Sequence, residues 1–559
     1  MPPRPRESEP ANAEQICKRY DKLLAQRANV DTLQQELADY VIPRKAVISE
    51  RRSPGEELTE KVYDSTPIRA NELLAATMQG SLMSPAVRWF SLKLRNEDVN
   101  LVADVAAWLE EVESRIYLSL RQSNFNAEAG EVCLDLGAFG IGAVLVEEHP
   151  KDIPGFNGLL FKALAPGTYV IAEAAEGRVD TLIRCTRMTT RQVAQQFGEA
   201  ALTDDLRSGL VNEPDHEHEV LHAVMPRRVT NPKRRDRLHK PWASAYVLRQ
   251  PKHLLQEGGF EEFPYLVPRW AKTSGEVYGR GPGHTALPSI RTLNRIKERT
   301  FAAVDKAIDP PGLTSSDSTF AQLDLTPGAQ NTVDGDPARA WVPLESGTKF
   351  DVAQLSVQDE RKLILEIFYW DQLQLQSERL MTATEVERRL ELMRRVLGPT
   401  LGRFESEFLA PLLARCFGLM WRAGALPGPP PEIAGQDLDV EYEGPLARSQ
   451  KAIRLAGAEQ TLALLMPISQ HQAGLSEVKN VLDNFDFDAW ARDLSEVAGL
   501  PPSYRRSQEE VEAMREERQE ALAQQRQMQQ VSQVAEAAGK GAPALRELQA
   551  LGGAGRPAA

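Results

Sequence analysis

The chain is poor in the features that mark secreted, membrane-spanning or catalytic proteins. Of 559 residues only four are cysteine, Cys17, Cys133, Cys185 and Cys416. No two share a C-x-x-C spacing, which argues against a zinc ribbon and a disulfide framework alike and fits a reducing compartment. No uninterrupted apolar run approaches the roughly 20 residues that span a bilayer. The opening Met1-Pro2-Pro3-Arg4-Pro5-Arg6 has no apolar stretch to act as a secretion signal. The phosphate-loop pattern G-x-x-x-x-G-K-[ST], the G-x-S-x-G elbow and the H-E-x-x-H pair are all missing. Basic charge is in deficit: 66 Lys and Arg against 79 Asp and Glu leave a net charge of -13. Tight grip on duplex DNA relies on Lys and Arg at phosphates, so that balance is unexpected for such a role.

What remains is a globular composition, 42% hydrophobic and 26% charged, long enough for three or four domains. The most informative stretch runs from Tyr278 to Trp421. Leu287, Ile290, Leu293, Ile296, Phe301, Val304 and Ile308 recur at helical spacing, and Asp309-Pro310-Pro311-Gly312 ends the run. A second helix is expected from Ser356, which could cap it with Asp359 three residues on; Leu363, Ile364, Ile367, Phe368 and Leu375 form its apolar face. After the polar Gln376-Ser377-Glu378-Arg379, Thr382-Ala383-Thr384-Glu385 spells a capping box and opens a third helix. That helix aligns Val386, Leu390, Met393, Leu397, Phe404, Phe408 and Leu412, with a kink expected at Gly398-Pro399.

Elsewhere, apolar spacing predicts helices over Ala13–Val41, Thr66–Leu82 and Val99–Ser123. Short strands follow at Ala143–Val146, Tyr169–Ala172, Thr181–Arg184, Val220–Val224 and Ser244–Leu248, an α+β region. Residues 309–355 are rich in Pro and Gly, with a strand expected at Ala340–Leu344. Leu426-Pro427-Gly428-Pro429-Pro430-Pro431 reads as a linker. Residues 505–533 form a marginal helix that a ring of copies could bundle.

Three places invite a chemical reading. Asp215-His216-Glu217-His218 with His222 resembles a metal cluster, but it matches no zincin pattern and a solvated strand end explains it as well; no metal or cofactor is assigned. The basic run with Lys233, Arg234, Arg235 and Arg237 could touch phosphates or neighbouring subunits, or could be an exposed hairpin between strands. Gly275, Gly279, Gly281 and Gly283 lack the lysine of a phosphate loop and are expected to make a backbone turn.

The residues Tyr278-Gly279-Arg280-Gly281-Pro282-Gly283, the following Leu287-Pro288-Ser289-Ile290-Arg291-Thr292-Leu293-Asn294, and Thr382-Ala383-Thr384-Glu385-Val386 resemble the head-to-tail connector, or portal, proteins of short-tailed bacteriophages. Further matches are Tyr63-Asp64-Ser65-Thr66, Leu82-Met83-Ser84-Pro85 with Trp89-Phe90, Ser123-Asn124-Phe125, Phe139-Gly140, Met188-Thr189-Thr190-Arg191-Gln192 and Gly444-Pro445-Leu446-Ala447-Arg448. They spread over residues 14–510, and their order makes the likeness specific.

The resemblance implies a mainly helical α+β portal fold with wing, stem, clip and crown, closed into a ring of twelve copies. Its parts would be an arm and wing at 1–283, stem helices at 284–308 and 356–376 around a clip at 309–355, and a tunnel loop at 377–382. A kinked wing helix at 383–425, a crown at 426–505 and a helical barrel with a disordered tail at 506–559 would follow. Ser377, Glu378, Arg379, Leu380 and Met381 would project into a channel for double-stranded DNA; an acidic wall would discourage sticking, although composition alone does not say where the acidic residues point. The implied partners are the terminase large subunit, scaffold protein, major capsid protein and head-tail adaptor, at one vertex of the virion after assembly in the host cytoplasm, with no membrane. No enzymatic activity is implied. The competing expectation is a metal-dependent DNA-processing enzyme using His216, His218 and a carboxylate.

Overall fold

Segments of strong helical spacing become helices where a polar side chain can start them. A computed structural model describes residues 12–50, 53, 55–83, 89–94, 103–150, 155–227, 236–308, 312–314, 341–343, 350–370, 398, 400–431, 433, 440–443, 463–464, 487–488, 490–491, 511 and 513–524. Helix α1, Ala13–Val41, begins after Asn12, whose side-chain oxygen accepts from the amides of Glu14 (2.9 Å) and Gln15 (3.2 Å). Helix α2 is Thr66–Leu82, α3 is Ala103–Gln122 and α4 is Phe125–Phe139. The first two coincide with the expected runs. α4 is an addition: Phe125, Ala129, Val132, Cys133, Leu136 and Phe139 are all buried. Its apolar residues are so dense that no polar face stands out.

Two antiparallel sheets follow. The smaller has the order β3-β2-β9, from Leu159–Ala163, Val144–Glu148 and Tyr265–Leu266. The larger runs β4-β5-β6-β7-β8, from Tyr169–Glu173, Val179–Thr189, Glu217–Pro226, Trp242–Leu248 and His253–Phe260. β3, β8 and β9 add to the expected strands, and β5 and β6 extend beyond them into largely polar residues paired across the ladder. β1, Ser91–Leu94, pairs with the late strand Val440–Glu443.

Alternation gives the larger sheet two apolar faces. On one, Ile16, Cys17 and Tyr20 of α1 pack on Val170, Ile183, Leu221, Ala223, Ala245 and Val247. On the other, Val193, Leu202 and Leu206 meet Val220, Leu248 and Leu255. Val193 lies on α5, Thr190–Phe197, and Leu206 on α6, Asp204–Asn212. α5 starts with a reciprocal capping box, Thr189 accepting from the Gln192 amide (3.3 Å) and Gln192 from the Thr189 amide (2.9 Å).

The chain divides into two units, residues 1–95, 111–428 and 438–447 in one and 96–110, 429–437 and 448–559 in the other. In the second, the described helical residues 513–524 include Arg515, whose guanidinium donates to both carboxylate oxygens of Asp488 (2.5 and 2.7 Å). Among the described residues no helix is long and apolar enough to cross a membrane.

Candidate functional site

Four glycines set the position of the helix that begins at Pro282. A Cβ on Gly279 would lie 2.2 Å from the Gly140 carbonyl oxygen, on Gly281 2.5 Å from that of Leu136, and on Gly283 2.3 Å from that of Ala138. Gly140 itself has φ 68° at the C-terminus of α4. The glycines therefore face backbone rather than a phosphate, and they weld the end of α4 to the start of the next helix. That helix, α7, is Pro282–Ile308, about 40 Å at 1.5 Å per residue.

Its partner α8 spans Phe350–Ile367. It opens before Ser356, so the expected cap lies inside the helix; Phe350 to Leu355 contains no Gly or Pro to stop the helix starting earlier. Trp270, hydrogen-bonded through its amide to the Gly140 carbonyl (2.9 Å), stacks on Tyr369 just beyond α8 (6.4 Å, 28°). The end of α8 thus lies by the start of α7, where Gly140 also sits, and the segment Tyr63–Asp64 meets Asn294 of α7 and Arg361 of α8 further along, so the two helices run antiparallel. Between them, Gly312–Thr314 pairs with Trp341–Pro343, within the strand expected there.

Polar contacts fasten this pair at mid-length. The Asn294 side-chain oxygen accepts from the Tyr63 amide (2.9 Å), and its nitrogen donates to the Ile290 carbonyl (2.9 Å). One Asp64 oxygen accepts from Arg361 Nε (2.9 Å) and Nη2 (2.7 Å), the other from the Thr66 amide (3.0 Å) and hydroxyl (2.6 Å). Burial acts to raise the Asp64 pKa, but these hydrogen bonds outweigh it and hold the carboxyl below its ordinary value. Arg291 adds an ion pair to Glu36 of α1 (2.5 Å).

The apolar stripe of α7 divides at these anchors. Leu287, Ile290 and Leu293 are buried, whereas Phe301, Val304 and Ile308 beyond them are exposed, Ile308 at 78%. On α8, Val357 and Ile364 are buried while Leu355, at 61%, and Leu363 are exposed.

A second junction lies where the chain approaches α7. Arg269, 1% exposed, engages every donor of its guanidinium. Nε and Nη2 donate to Glu407 (3.1 and 2.6 Å), Nη2 also to the Gly177 carbonyl (2.9 Å), and Nη1 to the Val277 carbonyl (3.1 Å) and to Glu173. Glu407 also accepts from the Arg269 amide (3.0 Å) and sits in a π-turn, Glu405–Leu409, ahead of helix α9, Ala410–Arg422. Pro411 accounts for the widened turn, because it has no N–H for the Glu407 carbonyl and its ring would crowd that oxygen. No local pattern announces Arg269, since Glu407 is 138 residues away.

The residues singled out from the sequence fall as follows. Ser377, Glu378, Arg379, Leu380 and Met381 lie outside the described residues, as do Lys233, Arg234, Arg235 and most of the third helix before Gly398. Arg237 is exposed in a short turn, Arg237–His239, between the paired strands β6 and β7. His222 is buried: Nδ1 meets the Tyr265 hydroxyl (2.6 Å), Nε2 meets the Ser244 hydroxyl (3.0 Å), and its ring stacks on Tyr246 (4.1 Å). Burial, with Arg184 and Lys162 nearby, pushes its pKa down to about 3. His218 Nε2 meets the Thr190 hydroxyl (3.0 Å), and His216 lies 3.9 Å from Glu213. Among the described residues no three His, Cys, Asp or Glu side chains converge as a metal would require.

The family model for bacteriophage head to tail connecting proteins matches residues 13–505. Over 523 residues the chain is 31% identical to the "probable portal protein" of Bordetella phage BPP-1, covering 91% of this chain and 92% of that one. It is 30% identical over 548 residues to the portal protein of Salmonella phage epsilon15, covering 96% of each. The portal protein of Enterobacteria phage T3 is 24% identical over 485 residues, 80% of this chain and 82% of the other. The family match takes in α7, α8 and the segments that anchor them, and the chain belongs to the bacteriophage head to tail connecting protein family.

Proposed function

We propose that this chain is the portal of a tailed bacteriophage, a closed ring of about twelve copies at one vertex of the virion through which double-stranded DNA is packaged and later ejected. The observation that carries the reading is the divided apolar stripe. One chain buries Leu287, Ile290 and Leu293 of α7 up to the Tyr63–Asp64 anchors and leaves Phe301, Val304 and Ile308 of α7 and Leu355 of α8 exposed beyond them. Neighbouring copies packed side by side would remove that surface from water, at about 25 cal/mol per Å². In this reading α7 and α8 are the stem, residues 309–349 between them the clip, the α+β region the wing, and residues beyond 426 the crown and barrel.

The clip would dock the terminase large subunit during packaging and the head-tail adaptor afterwards. Scaffold and major capsid proteins would meet the outer surface. Residues 377–381 would form a collar in the bore, with Arg379 meeting phosphates. Twelve copies at -13 each carry about -156, a field that favours weak, transient contact with passing DNA. The role is structural, with ATP hydrolysis left to the terminase. Among the described residues nothing favours the metal-dependent enzyme, because no three His, Cys, Asp or Glu side chains converge around His216 and His218, and His218 Nε2 is already engaged by the Thr190 hydroxyl.

Electron micrographs of the purified chain viewed end-on test the reading. Rings with a central opening wide enough for duplex DNA are expected. Particles that stay single, even with scaffold and coat proteins added, would rule it out.

A further inference from the structure

A ring of identical copies closes only when the rotation between neighbours divides the circle evenly. With about twelve copies the rotation is about 30°, and one more or one fewer copy changes it by only about 2 to 3°. From Asn294 to Ile308 the helix runs roughly 21 Å, so a tilt of about 2° moves its tip by about 0.7 Å. That displacement is no larger than the stretch that breaks a hydrogen bond. Whatever holds the helix pair at its mid-length must therefore be stiff on the scale of one such bond.

The segment Tyr63–Asp64 has the required construction. The Tyr63 amide is bonded to Asn294 of α7 and the Asp64 carboxylate to two nitrogens of Arg361 of α8, so two consecutive residues hold both helices at once. Asn294 cannot swivel, because its amide nitrogen is bonded to its own helix at Ile290. Asp64 cannot swivel either, because its second oxygen is held by Thr66 at the start of α2, and its side chain is only 2% exposed. The Tyr63 ring lies 6.4 Å from Phe301, where exposure of the apolar stripe begins.

We propose that Tyr63–Asp64 is a strut that fixes the angle at which the α7–α8 pair leaves the body of the chain, and that through this angle it determines how many copies close the ring. The inference rests on the ring assembly proposed above. Asp64, Asn294 and Arg361 are positioning residues: they do not form the surface between copies but set where that surface points.

The test is the distribution of copy number, read by native mass spectrometry on the assembled full-length chain. Asp64→Asn is nearly isosteric and keeps an acceptor for Thr66, but loses the charge that holds Arg361; Arg361→Lys keeps the charge and loses the fork. Arg207→Gln, in a remote pair with Asp204, is the control. For both strut variants the most abundant copy number is expected to shift by one, or its share to fall by about half, while the control matches the wild type. Thermal unfolding, followed in parallel, separates this outcome from simple destabilisation, and Arg361→Lys answers the question if Asp64→Asn does not fold. Wild-type rings with an unchanged distribution in the folded strut variants overturn the strut while leaving the ring intact. Absence of wild-type rings overturns the portal reading, and the strut falls with it.

Discussion

The five-stranded sheet and the α7–α8 pair solve the same problem in opposite ways. The sheet has two apolar faces, and the chain covers both itself, with α1 on one side and α5 and α6 on the other. The helix pair is covered only as far as its anchors, and its outer half carries Phe301, Ile308 and Leu355 into solvent. Apolar surface left on a self-contained element would be a liability; repeated on an element built to stand beside copies of itself, it is an interface. The sheet is thus finished within one chain, whereas in the proposed ring the helix pair would be finished by its neighbours.

The largest effect on chain stability is expected at the junction that lies beneath the pair. Gly281→Val places a side chain 2.5 Å from the Leu136 carbonyl and 2.9 Å from the Gly140 backbone, and neither can move without separating α4 from α7. Destabilisation by roughly 3–5 kcal/mol, or failure to accumulate soluble chain, is expected in denaturant titrations. Gly80→Ala, in open space on α2, is expected to be neutral or stabilising by up to about 1 kcal/mol. Equal tolerance at both positions would mean that the junction is looser than its distances indicate.

Inside the sheet the expected effect is smaller and depends on pH. His222 has its folded-state pKa depressed from 6.5 to about 3, so the folded chain binds fewer protons than the unfolded chain between those values. Its contribution is fully present above pH 6.5 and is lost as pH falls through that window. Between pH 6.5 and 4 the loss amounts to roughly 3 kcal/mol. Chemical denaturation at pH 7 and pH 4 checks it: His222→Gln should be less stable at pH 7 and should lose less on acidification. An unchanged difference between the two pH values would show that the imidazole does not drive acid sensitivity.

These two sites also mark what the sequence could disclose. Periodicity located α1, α2 and the first helix of the pair, because each has one buried face and a polar back. It missed α4, which is buried nearly all round, and it shortened β5 and β6, whose polar ends are held by ladder hydrogen bonds rather than apolar alternation. The glycines before α7 were visible as a backbone turn, but their contact with residues 136–140 is a long-range approach that no local pattern encodes. His222 was visible only as part of a polar cluster; its true partners, Tyr265 and Ser244, lie on other strands. Asp64 stood in a stretch that resembled the family, yet its tie to Arg361 spans 297 residues.

The smallest effect on the single chain is expected where the proposed assembly would matter most, and the comparison between sheet and helix pair is sharpest there. Ile308→Ser with Leu355→Ser removes two apolar side chains that are already 78% and 61% exposed, so folding gains little from them. Unfolding free energy should change by less than about 0.5 kcal/mol. If these side chains are buried between copies, the same double variant loses their burial at every interface around the ring, and closure compounds the loss. Sedimentation velocity should therefore show the wild type as a large closed species and the variant shifted toward single chains, with superimposable denaturation curves for the separated chains. A variant that assembles like the wild type would place the contacts between copies elsewhere on the molecule and leave the outer half of the helix pair to bind a different protein.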